Sequence, residues 1–140
     1  MAFNKSSLST HTITDQTVGA GDSVRFDINR VLTGRSIRHC AGTSVITLAG
    51  AGLYSGAFNA DFTITATGPV TFQLFRNGVL VPGAEATVQA TAAEPVNVSF
   101  PILELVRPSC VAIDNTSSLQ VVVSAAGVIN TANINMVKEA

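Results

Sequence analysis

Hydrophobic and polar residues alternate along most of this 140-residue chain, most clearly over residues 52–66. Tyr54, Gly56, Phe58, Ala60, Phe62, Ile64 and Ala66 share one parity; Leu53, Ser55, Ala57, Asn59, Asp61, Thr63 and Thr65 share the other. Successive side chains of a strand point to opposite faces, so this run predicts a strand with one oily face and one mostly polar face. Gly68-Pro69 then predicts a turn, and residues 70–76 a second strand. Asn77-Gly78 predicts a type I′ hairpin into Val79-Leu80-Val81, because both residues tolerate positive φ.

The same reading extends in both directions. Residues 1–9 are polar and read as an N-terminal arm, with a single domain over 10–140. Residues 10–18 read as a first strand. Residues 23–29 read as a second, with Val24, Phe26 and Ile28 inward, and residues 30–34 as a connection. Short strands follow at 36–40 and 44–48. Pro82-Gly83 predicts another turn, and residues 84–90 alternate small apolar with polar side chains. Residues 96–100 alternate again, Pro101 ends or bends that run, and residues 102–106 continue it. A turn at 114–117 leads to Leu119, Val121 and Val123 on one face. The last run sets Ala132, Ile134 and Met136 opposite Asn133 and Asn135. About nine or ten strands at spacings of roughly 8–12 residues, with no helical period, define an all-β sandwich or barrel.

Composition sharpens this picture in one respect. The chain is 46% hydrophobic and only 12% charged, where about a quarter charged is usual. So few charges predict that copies of the chain cover part of its surface, although Thr, Ser, Asn and Gln are plentiful enough to solvate it otherwise. The net charge of −1 and the absence of any Lys/Arg run argue against nucleic-acid binding. No apolar run approaches the ~20 residues of a helical membrane span. The first residues lack the charged start and apolar core of a secretory signal. A cytoplasmic location, or exit within an assembled particle, by lysis or by a route the sequence does not encode, is the expectation.

Candidate chemistry is sparse. Cys40 and Cys110 stand far apart and leave two readings open, one disulfide or two thiols; the missing signal peptide favours reduced thiols. His39 adjoins Cys40, but neighbouring strand residues point to opposite faces, so the two make a poor nucleophile pair; Cys110 with His39 is the remaining combination. No CxxC or HxxxH spacing suggests zinc. Asp15, Asp22, Asp27, Asp61 and Asp114 form no D-x-D-x-D calcium loop. Arg35, Arg38 and His39 form the one local basic cluster, suited to a carboxylate or phosphate-bearing partner or simply to an exposed loop. No catalytic residues, cofactor or metal site are expected, and the chain reads as non-enzymatic.

Several segments taken together carry a resemblance. The Gly52-Leu53-Tyr54 entry to a long strand, the hairpin Phe72-Gln73-Leu74-Phe75-Arg76-Asn77-Gly78, and the closing pair 119–123 and 132–136 resemble the C1q/tumour-necrosis-factor superfamily. The opening 17–26 is also similar, most closely to the bacterial and phage heads of collagen-like surface and spore proteins. The likeness spans about residues 13–137. It implies a ten-stranded jelly roll that forms a homotrimer, with Tyr54, Phe58, Phe75 and Val122 as expected contributors to the seam, although ordinary core is the better reading for each taken singly. Some members hold a calcium near the trimer apex, where Asp114 would be the counterpart, though a solvated turn is the plainer reading. No Gly-X-Y stalk is present. The resemblance therefore implies a trimeric decoration or head-fibre component of a phage virion, in contact with capsid or other virion proteins. The alternative is a binding head for glycans or host surface on a phage fibre, bacterium or spore. The absence of Trp and a single Tyr make sugar stacking less favourable.

Overall fold

A computed structural model describes residues 6–107 and 116–139. Among them are eleven strands and no helix: β1 Ser7–His11, β2 Gln16–Val18, β3 Ile28–Thr33, β4 Ile37–His39, β5 Ile46–Ala49, β6 Gly52–Ile64, β7 Gly68–Arg76, β8 Val79–Ala90, β9 Pro95–Val106, β10 Thr116–Val123 and β11 Gly127–Lys138. They form two antiparallel sheets. The six-stranded sheet runs β3-β1-β11-β6-β9, with β2 paired to β11, and the five-stranded sheet runs β4-β5-β10-β7-β8.

The inward parity of each long strand meets between the sheets. Tyr54, Phe58, Ala60, Phe62 and Ile64 from β6 are buried, as are Ile134 and Met136 from β11, Phe72 and Leu74 from β7, and Leu119, Val121 and Val123 from β10. Phe58 is the hub of the aromatic packing. Its ring centroid lies 5.2 Å from Phe100 of the same sheet, 5.7 Å from Phe72 of the opposite sheet and 6.4 Å from Phe26. Fully burying each such ring contributes about 1.5–3 kcal/mol. The Asn77-Gly78 hairpin forms as the sequence predicts, with φ of 51° and 81°, and the Asn77 side chain also accepts from the Ser118 amide at 2.8 Å.

Several local readings change. The first strand begins at Ser7, within the stretch read as an arm, and residues 10–18 split into β1 and β2, so there are eleven strands where ten were expected. Residues 23–27 cross between the sheets: the Val24 amide donates to Val121, Phe26 to Thr43 and Asp27 to His11. The Gln16 side chain stands in for a ladder there, accepting from the Arg25 amide at 2.9 Å and donating to its carbonyl at 3.1 Å. Val24 and Phe26 are buried, but Ile28 is 41% exposed, because it opens the edge strand β3 over residues read as a connection. Gly68-Pro69 starts β7 rather than turning the chain. Pro82-Gly83 is a bulge inside β8, where residues 81–84 oppose Leu74 alone. Pro95 and Pro101 both sit in β9, an edge strand, where a missing amide hydrogen is tolerated.

Candidate assembly surface

Parity also decides what reaches the two outer faces. On the six-stranded sheet, Ser7, Val137, Ser55 and Leu103 stand in one cross-strand row; Val31, Ser9, Asn135, Ala57 and Pro101 form the next. The middle members are mostly small, so the backbone lies near the surface and an open depression of about 400 Å³ forms over β1, β11 and β6. Gly56 helps to floor it, and a Cβ there would overlap the Asn135 carbonyl oxygen. At the β9 edge the same face rises into a ridge, with Leu103 66% exposed and Leu105 44% exposed. Leu53 pairs with Leu105 and extends this apolar area. Towards the other end the face turns polar: Asn97 donates to Asn59 and Asp61, both at 2.8 Å, and Thr131 donates to Asp61 at 3.2 Å.

The outer face of the five-stranded sheet is laced with side-chain hydrogen bonds. Thr71 and Thr87 hydroxyls meet at 2.7 Å, and the Gln73 amide donates to Glu85 at 3.0 Å. Ser124 accepts from the Thr71 amide at 2.8 Å.

The four expected seam residues do not share a surface. Tyr54 and Phe58 have no accessible surface within one copy. Both lie on the inward parity of β6 and belong to the subunit's own core. The Tyr54 hydroxyl donates to the Gly50 carbonyl at 2.8 Å, and burial pushes its phenol up from the usual value, against a smaller opposing pull from a Ser36 hydrogen bond. Phe75 and Val122 lie half-buried on the outer face of the five-stranded sheet, where Phe75 pairs with Gln120 and Val122 with Gln73. Aromatic size marks the core at Tyr54 and Phe58. The ridge has its own signal: residues 102–106, Ile-Leu-Glu-Leu-Val, are apolar on the outward parity while Glu104 takes an inward position.

The remaining candidates stay apart. His39 turns inward, with Nδ1 against Asn29 Oδ1 and Nε2 2.8 Å from the Thr43 carbonyl, while Arg38 and the free thiol of Cys40 point outward. Arg38 donates to the Arg35 carbonyl at 3.3 Å. Cys110 and Asp114 lie outside the described residues, and with them the thiol pairing and the calcium counterpart. Among the described residues no group of three or more His, Cys, Asp or Glu side chains gathers for a metal ion. The one ion pair among them is Arg76–Glu104 at 3.9 Å, at the end of the sandwich beside the ridge.

Comparison with known proteins leaves the fold as the firm result. No family model and no curated protein matches this chain. Its structure is similar to the globular domain of zebrafish complement 1qA protein, with a TM-score of 0.69, 12% identity and 94% of each chain covered. It is also similar to murine APRIL crystallised at pH 5.0, with a TM-score of 0.71 and 11% identity over 96% of this chain and 99% of that one. The PRD1 vertex protein P5 matches with a TM-score of 0.56 and 15% identity over 95% and 96%. The fold is therefore a C1q/TNF-like jelly-roll β-sandwich.

Proposed function

We propose that this protein is a non-enzymatic structural component of a virion that works as a homotrimer, each copy seating its β9 ridge in the depression of the next. The observation that carries the reading is the pairing of an apolar ridge and an apolar hollow at opposite sides of one sheet face. A contact between unlike patches repeats head to tail, and closes into a ring when the rotation allows. Closure at three copies is what the sequence resemblance implies. Phe75 and Val122, on the opposite face, are then left for contacts outside the trimer, such as a capsid or another virion protein. The likeness to a protein titled a vertex protein supports the virion setting.

Sedimentation equilibrium at micromolar concentration tests the assembly: the expected mass is that of three copies of the 14.5 kDa chain, and a monomer overturns it. Antibody labelling of purified particles tests the setting. A second reading, a binding head for glycans or a host surface, draws on the likeness to the complement head domain. It stands behind the first because every described aromatic except the half-buried Phe75 is buried, which leaves little for sugar stacking. Binding on a glycan array at concentrations where the trimer is intact would promote it.

A further inference from the structure

Glu104 is the odd residue of the interior. It lies between the sheets, only 6% exposed, at the end of the sandwich beside the exposed pair Leu103 and Leu105. Its Oε1 has no hydrogen-bond partner among the described residues. Its Oε2 stands 3.9 Å from Arg76 Nη1, too far for a good hydrogen bond. Arg76 is engaged elsewhere: Nη1 donates to the Leu105 carbonyl at 2.9 Å and Nε to the Ser117 hydroxyl at 3.2 Å. This arginine, on β7, therefore ties the five-stranded sheet to β9 of the other sheet. Both residues border an open cleft of about 270 Å³ walled by Val79, Leu80, Val81 and Pro82.

A buried carboxylate with one oxygen unsatisfied costs free energy that a neutral carboxyl largely avoids. Among the described residues, the groups facing it do not offset that cost. Arg76 comes from β7. Tyr54, its register neighbour on β6, spends its hydroxyl on Gly50. Lys138 of β11 lies beyond, 5.9 Å over the Tyr54 ring. The β8 residues at the cleft are apolar.

We propose that Glu104 is an acid-closed latch between the two sheets. Protonated, its side chain stays inside and the end of β9 packs against Arg76. Ionised, its carboxylate draws that end of β9 towards the cleft and water. Burial raises the Glu104 carboxyl above its ordinary value, with Arg76 opposing by a smaller amount. The sign follows. In the window above the unfolded value the closed state holds a proton that the open state has lost. Closure is therefore complete at low pH and weakens as pH rises through the raised value. Since Leu103 and Leu105 flank Glu104 on the opposite parity, opening would also move the ridge; that consequence rests on the proposed assembly.

Amide hydrogen exchange tests the latch. Protection of residues 103–106 and of Arg76, corrected for the intrinsic pH dependence, is followed from about pH 5 to about pH 8 in the intact chain. Protection is expected to fall by up to about tenfold per pH unit through the titration of one carboxyl, and to stay flat in Glu104→Gln. A flat profile in the unmutated protein, or the same slope in Glu104→Gln, overturns the proposal. Should Glu104→Gln fail to fold, the Glu104 side-chain carboxyl carbon shift in the unmutated protein decides. A carboxyl still protonated where exposed glutamates are ionised supports the latch; one fully ionised at about pH 5 defeats it. The readout is local, so a monomeric protein would sink the assembly reading without touching this one.

Discussion

The two outer faces of the sandwich solve the same problem differently. Each is the outward parity of antiparallel strands around one core. On the five-stranded sheet that parity carries Thr71, Gln73, Glu85 and Thr87, which bond to one another across β7 and β8. Over that part of β7 and β8 the face satisfies its own polar groups. On the six-stranded sheet the equivalent positions shrink to Ser7, Ser9, Ser55 and Ala57 over the depression, then swell to Leu103 and Leu105 at the β9 edge. Small side chains give little cross-strand interaction, and exposed leucines gain nothing from water. Relief of that kind makes sense as a shape for another copy to fill. Low charge over the whole chain does not by itself choose a face; the proposed contact rests on the contrast between the two faces.

Substitutions can break this contrast. The largest effect is expected at the floor of the depression. Gly56→Val drives a side chain into the Asn135 carbonyl and the Met136 side chain and should cost on the order of 3 kcal/mol of stability, read as a lower urea midpoint. Thr87→Val, an outward position on the other sheet, should shift the midpoint far less. Next comes Leu103→Glu. Leu103 is exposed within one copy, so the fold should survive, while self-association weakens by about 2 kcal/mol per contact, roughly thirtyfold in Kd. Sedimentation reads this directly, and an unchanged trimer would move the contact away from the ridge. The smallest effect is expected for Thr71→Val, which removes the Thr71–Thr87 hydroxyl contact. About 1 kcal/mol of stability should go, with no change in mass. Dissociation by Thr71→Val, but not by Leu103→Glu, would reverse the roles of the two faces.

Much of the fold was legible because burial alternates with strand parity. Residues 52–64, the Asn77-Gly78 hairpin and the inward set of β10 and β11 needed only that rule, whereas Ala66, read on the same inward face, lies exposed beyond the strand's end. The rule failed where a segment alternates but pairs with no single strand. Residues 23–27 read as a strand, yet their amides go to β10, to the loop at Thr43 and to β1 in turn. Pro82-Gly83 carries turn chemistry, but the ladder on either side turns it into a bulge. The candidate assembly surface was harder still to read. Tyr54 and Phe58 drew attention as large aromatics, and size is what fills the interior. The hollow is built from serines, alanine and glycine on β1 and β6, with Asn135, Met136 and Val137 of β11 between them, strands distant in sequence that no local window brings together.

What the amino-acid order determined alone was the two-layered character of the protein: which residues point in, and where the Asn77-Gly78 hairpin lies. These are local properties, set by side-chain parity and by the φ that Asn and Gly accept. Only the tertiary structure decided that Ser7, Val137, Ser55 and Leu103 form one row, and that Glu104 is enclosed beside Arg76. Register between strands separated by tens of residues depends on the packing of the whole sandwich, and the relief of a surface exists only once that register is made.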